Sequence, residues 1–423
     1  MSPKAAEPEA LRTQILQCKA ADILFEQPQD LGREELCVID PASETYDALE
    51  RASSILKKDR RPVVIPTETV YGLAAAATDS TAVEKIFTTK GRPADNPLIV
   101  HVSSRSMLAS LLPPSYTIPP SYERLMKAFW PGPLTLLFPA DPSKIPPIVT
   151  AGQKTVAIRM PSHPVARALI SFSQTPLAAP SANSSGRPSP TKAEHVWDDL
   201  GKSAKVPLIL DGGPCDVGVE STVVDGISAE DGSIRVLRPG GVTVEEMKTL
   251  LSEGLAPGES PVKVLVHKRD YQDADMEQHP TTPGMKYLHY TPSVPVVLLN
   301  LKNAQHPSAE EFEPLSEVMD DLLAKHQPRS EKLKRRKVGF LVTSDFPVTP
   351  GTHASDPEVV TFDLGPRNEP SVAAQRLFDG LLTLEKKGVD FILVEAIDEE
   401  NEGLAVMNRV RKAAGDVRMV DVS

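Results

Sequence analysis

The sequence predicts an α/β protein built as two units, a twisted mixed sheet followed by a smaller three-layer α/β domain. Three observations carry this. Through residues 43–250, short apolar runs bounded by Pro, Gly and Asn are interleaved with segments of helical period. They lack the regular strand–helix–strand repeat of a doubly wound parallel sheet. Residues 251–293 are rich in Pro, Gly, Ser and charge, which is linker composition. From Val294 onward strand and helix patterns alternate again, as in a small three-layer domain. A chain of 423 residues also exceeds one ordinary core. The division expected is a leader over 1–42, a first domain over 43–250, a linker over 251–293 and a second domain over 294–423.

The leader shows no clear period beyond a weak helical pattern at Glu9–Leu16. Leu49, Ala52, Ile55 and Leu56 recur at helical spacing and predict a helix over Tyr46–Asp59. Val63–Ile65 and Leu98–Val102 read as buried strands. Between them lie a polar turn, Pro66-Thr67-Glu68-Thr69, a helix over Thr81–Thr88 and the basic loop Lys90-Gly91-Arg92-Pro93. Further helices are predicted at Ser106–Leu112, Tyr122–Phe129, Pro164–Phe172, Lys192–Leu200 and Val244–Leu251. Strands are predicted at Leu134–Phe138, Thr155–Arg159, Leu177–Ala179, Leu208–Leu210, Ser221–Val224 and, last in this domain, Arg235–Leu237. Within the linker, Pro283–Pro292 (PGMKYLHYTP) concentrates aromatics and a histidine that a spacer does not need, so this segment is expected to dock. The second domain reads as strands Val294–Leu299, Val338–Val342 and Phe391–Val394, with helices Pro314–Leu323, Val372–Lys387 and Gly403–Ala414.

Composition excludes several classes. A net charge of −11 argues against a generally basic, nucleic-acid-coating surface and leaves room only for a local basic cleft. No apolar run approaches the roughly 18 residues that span a bilayer. The N-terminus has no apolar signal region and carries Glu7 and Glu9, unlike an acid-poor transit peptide, so a cytoplasmic protein without membrane attachment is expected. Cys18, Cys37 and Cys215 form no CxxC and no disulfide framework. Walker-type and GxGxxG loops, HExxH and the GxSxG elbow are missing, so no protein-held metal is expected.

What remains is a set of polar groups at strand ends. Lys90 and Arg92 lie in KGRP, Thr155 and Arg159 in TVAIR, Ser181 and Asn183 in PSAN with Arg187 soon after, Ser221 in GVES and Arg238 in RPGG. Singly, each has a bland reading. An Arg at a strand end is usually solvated, a Ser or Asn in a Pro-bounded loop satisfies its own turn, and His101 fits a hydrogen-bonded core position. Together, cations recurring at strand boundaries of an acidic chain, beside hydroxyl-rich turns, predict a basic concave pocket. Its ligand would be a polyanionic small molecule or an RNA backbone.

PTETVYGL, KGRPADNPL with the trailing IVH, PGPLT, VAIRMP, PSANSSGRPS, GVESTVVD and LRPG stand in one order over residues from about 50 to 245. Together they resemble the threonylcarbamoyl-AMP synthase (YrdC-like) family. TTPGMKYLHYTP followed by a second α/β domain resembles its long, two-domain, fungal-type form. Thr282 and Leu288 depart from the usual serine and basic residue of that linker. The resemblance implies an α/β-twist first domain and a Rossmann-like second one. It implies a nucleotidyltransferase that converts L-threonine, bicarbonate and ATP to threonylcarbamoyl-adenylate and pyrophosphate. Downstream, a threonylcarbamoyl-transferase complex would carry the group to adenosine 37 of ANN-decoding tRNAs.

The resemblance also distributes the residues. Thr69, His101, Arg159, Ala179 and Ser221 would line the threonine site, with Arg159 clamping the carboxylate. Arg92, Asn96, Thr155, Ser181, Asn183, Arg238 and His289 would face ATP, and Lys90 its phosphates, so that Lys90, Arg92 and Arg159 carry the catalytic charge. Mg²⁺ would arrive on the triphosphate. Catalysis would rest on orientation and electrostatic stabilisation, with no evident nucleophile or general base. His289 and Tyr290 would form a lid. The rival readings are a non-catalytic module for double-stranded RNA or tRNA, a hydrogenase-maturation carbamoyltransferase, whose acylphosphatase and zinc-finger regions have no counterpart here, and a purely regulatory second domain.

Overall fold

The computed structural model describes residues 12–26, 35–254, 260–271, 289–302, 312–326, 335–346 and 357–422. In chain order its strands are β1 (Gln14–Gln17), β2 (Ile23–Glu26), β3 (Leu36–Ile39), β4 (Val63–Ile65), β5 (Gly72–Ala76), β6 (Ile99–His101), β7 (Leu134–Pro139), β8 (Thr155–Arg159), β9 (Leu177–Ala178), β10 (Leu208–Asp211), β11 (Thr222–Asp225), β12 (Ile234–Arg238), β13 (Val264–Val266), β14 (Val296–Leu301), β15 (Glu313–Pro314), β16 (Lys337–Val342), β17 (Glu358–Asp363), β18 (Phe391–Glu395) and β19 (Asp416–Asp421).

Eleven strands form one twisted sheet in the order β1-β10-β4-β5-β9-β6-β8-β7-β11-β12-β13. The sheet is mixed, as expected: β6 and β8 run parallel while β7 and β8 run antiparallel. Both faces are covered, which explains why strands such as Val63–Ile65 carry apolar residues at every position. Val64 enters one core cluster with Leu73 and Ile209, whereas Val63 and Ile65 enter another with Leu208 and Leu210. The second sheet is wholly parallel in the order β15-β19-β14-β18-β16-β17. Val296 and Leu298 pack toward helices Pro370–Lys386 and Glu402–Ala413, and Val297 and Leu299 toward helix Leu315–Lys325. That gives the three layers.

Local chemistry fixes the elements that carry the site. The helix Ser80–Lys90 starts where the Asp79 carboxylate accepts hydrogen bonds from the amides of Thr81 and Ala82. It stops at Gly91, whose φ of +62° is the left-handed terminator that glycine adopts freely. Lys90 and Arg92 are thereby set on either side of that turn.

Several expectations need correction. The helical pattern at Glu9–Leu16 gives way, among the described residues, to strand β1, whose residues pair in parallel with Leu208–Asp211 at the sheet edge. Leader residues also form the β2–β3 hairpin, and its Phe25 lies under the Arg167 guanidinium. Arg235–Leu237 is not the last strand: β13, within the presumed linker, extends the sheet in parallel with β12. Strands β5, β17 and β19 were not foreseen. The β5 sequence GLAAA has weak strand propensity, and its conformation is set by pairing with β4 and β9. The remainder of the predicted lid, residues 283–288, lies outside the described residues.

The two sheets share core. Val70 and Val219 of the first domain join the cluster of Leu377, Phe378 and Val406 in the second. Gly218, at φ +75°, lies so close to the helix Pro370–Lys386 that a Cβ would stand 2.4 Å from the Cα of Gln375.

Candidate active site

One cavity gathers the ends of four strands. His101 ends β6 and Arg159 ends β8, and the two are register partners in adjacent parallel strands. Ser221 immediately precedes β11, and Arg238 ends β12. The turn after β4 brings Thr69, the segment after β9 brings Ala179, Ser181 and Asn183, and His289 and Tyr290 close the wall. Lys90 and Arg92 complete it. Twelve of the fourteen expected site residues therefore line a single space. Asn96 and Thr155 do not line it. Asn96 supports it instead, its carbonyl accepting from Arg92 Nη2 at 3.1 Å. Thr155 starts the strand that Arg159 ends, and a strand rises about 3.3 Å per residue, so the two lie about 13 Å apart.

Arg159 is the best-anchored member. Its Nη1 donates to Thr69 Oγ1 at 2.9 Å and its Nε to the Gly132 carbonyl at 3.2 Å. Its Nη2 pairs with Glu68 Oε1 at 2.6 Å. Burial raises the Glu68 carboxyl, but the Arg159 charge and its hydrogen bond outweigh this and leave it below the ordinary range, so Glu68 is ionised. Burial, reinforced by Arg159, pushes His101 down to about 3, so its imidazole is neutral at physiological pH. Its Nδ1 is buried with no protein partner. A neutral imidazole beside an oriented guanidinium suits a small zwitterion with a carboxylate and a hydroxyl.

Thr135 and Ser221 share a hydroxyl hydrogen bond of 2.7 Å, and Arg238 Nη2 donates to the Ser221 carbonyl at 2.9 Å. Lys90 Nζ donates to the carbonyls of Ser181 and Asn183, the latter at 2.6 Å, so it ties down the PSAN loop as well as facing the cavity. Burial, with Arg92 adding repulsion, lowers Lys90 to about 7. Burial lowers Arg92 to about 10 and His289 to about 4. Arg92, Arg159 and Arg238, with Lys90 partly protonated near neutral pH, make an anion site in a low-dielectric wall. Among the described residues no group of three or more His, Cys, Asp or Glu could hold a metal ion.

Sequence reasoning gave two carboxylates no role in the site. Glu68 lies in PTET and Glu220 in GVES, inside motifs already singled out, but the search for an anion site favoured cations. Burial alone would raise Glu220, yet Arg409 and Arg238, with the Ser189 hydroxyl, hold it at about 2. Arg409 gave no signal, since an Arg in an amphipathic helix reads as solvent-facing.

The space inside is about 60 Å³, well below the roughly 300–1,000 Å³ of pockets that hold ligands. Tyr290 walls it from a left-handed backbone conformation, φ +68°, that is rare outside glycine.

Comparison with known proteins agrees with this geometry. The Sua5/YciO/YrdC family model, described as telomere recombination, matches residues 55–240, and that of the threonylcarbamoyl-AMP synthase C-terminal domain matches residues 242–415. The threonylcarbamoyl-AMP synthase of Schizosaccharomyces pombe is 44% identical, over 96% of this chain and 98% of that protein. The enzyme of the same name from Bacillus subtilis is 40% identical, over 89% and 96%. The crystal structure of Pyrococcus abyssi Sua5 complexed with L-threonine superposes with a TM-score of 0.71 at 35% identity, covering 97% of this chain and 100% of that one. Alignment at this identity across both domains, together with the shared fold, shows that the chain belongs to the threonylcarbamoyl-AMP synthase family.

Proposed function

We propose that this protein condenses L-threonine, bicarbonate and ATP into threonylcarbamoyl-adenylate with release of pyrophosphate. The observation that carries the proposal is the cavity in which Arg159, neutral His101 and the Thr69 hydroxyl stand beside Lys90, Arg92 and Arg238. The first group suits threonine. The guanidinium takes the carboxylate, and hydroxyls and imidazole take the side chain. The second suits a triphosphate. The carbamate formed from the threonine amine and bicarbonate, with loss of water, would then lie against the α-phosphorus, where its oxygen displaces pyrophosphate in line. Orientation of bound reactants and cationic stabilisation of developing negative charge supply the acceleration.

The donor set fits Mg²⁺ carried by the nucleotide: Glu220 is the carboxylate in the wall, and it is engaged by Arg409. Such an ion would neutralise phosphate charge, while this chain's own residues bind and orient. His289 and Tyr290 would act as the lid that excludes water from a labile product. The adenylate would pass in the cytoplasm to a transferase complex acting on tRNA. Among the described residues no helix is long and apolar enough to cross a membrane. A purely RNA-docking role would leave the concave, cation-lined cavity unused.

The test is pyrophosphate release from the purified chain, with mass spectrometry of the product. Release that requires both threonine and bicarbonate supports the reading. Release that needs neither, or none at all, overturns it.

A further inference from the structure

The second domain reaches the cavity wall through helix Glu402–Ala413, where Arg409 makes the direct contact and Lys412 adds a second buried cation facing Glu220. Arg409, on helix Glu402–Ala413, is fully buried, and its Nε donates to Glu220 Oε2 at 3.1 Å. Its Nη1 donates to the Pro239 carbonyl, inside RPGG. Glu220 is a cavity-wall residue of the first domain. Its other oxygen, Oε1, accepts from Ser189 Oγ at 2.6 Å, and the Tyr290 hydroxyl is hydrogen-bonded to it as well. One carboxylate thus joins the cavity wall, the Tyr290 segment and the second domain.

The electrostatics give this contact a role. Glu220 stands among Lys90, Arg238 and His289, in the half of the cavity suited to a polyanion. A buried carboxylate there, without a counter-charge, repels a triphosphate and draws the surrounding cations to itself. Arg409 supplies that counter-charge from the face turned away from the ligand, which leaves Arg238 and Lys90 to the phosphates. Its hold on the Pro239 carbonyl also fixes the turn just after Arg238.

We propose that Arg409 is a positioning residue of the nucleotide site, acting through Glu220, so that docking of the second domain completes a cavity that the first domain alone leaves electrostatically unfit for ATP. The inference rests on reading this cavity as the ATP site.

Full-length Arg409→Met and Arg409→Met/Glu220→Gln are titrated calorimetrically with a non-hydrolysable ATP analogue and assayed for pyrophosphate release. Arg409→Met is expected to weaken analogue binding at least tenfold and raise the KM for ATP in step. The KM for threonine should change less than threefold. The weakening is taken as the ratio to the unaltered chain at each pH, which divides out the Lys90 titration common to both. It should lessen from pH 8 to pH 6 as Glu220, faced by Lys90, Arg238, Lys412 and His289, takes up a proton; a merely structural defect has no such dependence. Removing both charges should restore binding to within about threefold of the unaltered chain. If Arg409→Met fails to fold, that restoration in a folded double variant carries the test. Unchanged analogue binding in folded Arg409→Met overturns the proposal. So does a double variant that fails to fold, or folds without recovering binding. An unaltered chain that binds the analogue but releases no threonine-dependent pyrophosphate would refute the functional reading while leaving the Arg409 test intact.

Discussion

Arg159, in the cavity wall, forms a 2.6 Å ion pair with Glu68 behind it, both side chains almost wholly withdrawn from water. The guanidinium that suits the threonine carboxylate is therefore already aimed and partly neutralised. Arg159→Ala is expected to abolish threonine-dependent pyrophosphate release. It should also destabilise the fold by about 3–5 kcal/mol, because Glu68 is left buried and unpaired. Urea denaturation and the pyrophosphate assay check both effects, and near wild-type turnover in a folded variant would contradict the threonine assignment.

Lys90 stands near half-protonation. Its ammonium ordinarily titrates at 10.5 but is held at about 7 in the fold. At pH 8 the site is then mostly neutral here, and an arriving triphosphate raises the pKa again. ATP binding at pH 8 should take up protons, read as a dependence of calorimetric enthalpy on buffer ionisation heat. Lys90→Arg, charged throughout, should show less uptake. Equal uptake in both proteins would disprove this.

Glu220 is expected to contribute to the acid limb of stability. Its carboxyl ordinarily titrates at 4.5 and is held at about 2 here. A depressed carboxyl stabilises fully above its unfolded value and loses that contribution as pH falls toward the folded one. Between about pH 4.5 and 2 the native protein should lose stability more steeply than Glu220→Gln does. Chemical denaturation at stepped pH measures the two slopes, and parallel slopes would exclude the effect.

Gly240 lies against the backbone of the residue pair beside the cavity. A Cβ there would stand 2.2 Å from the Glu220 carbonyl and 2.4 Å from the Ser221 carbonyl carbon. Gly240→Ala should shift this segment, lowering kcat/KM at least tenfold while far-UV circular dichroism stays unchanged. Full activity would show that the segment tolerates displacement.

The parts legible in the sequence were those that a local pattern encodes. Val63–Ile65 and Thr155–Arg159 are apolar strands with their polar residues at the ends, and the structure has both at those limits. The resemblance of the motifs to a known family also placed Thr69, His101, Arg159 and Ser221 at one site, and all four line one cavity. The parts missed depend on distant partners. β5 is an Ala- and Gly-rich strand because β4 and β9 flank it, and β1 is a strand because β10 offers an edge. Thr155 shares a strand with Arg159, yet strand rise carries it away from the cavity. Glu220 and Arg409 are separated by 189 residues, and nothing local in either marks the pair.

The 60 Å³ interior has a consequence for timing. A space this small is expected to widen as ATP enters, and displacement of Tyr290 in its wall would widen it. Throughput would then depend on how often Tyr290 is displaced. Substitutions of Tyr290 should alter turnover while leaving the rate of bond formation, measured in a single pre-loaded cycle, untouched.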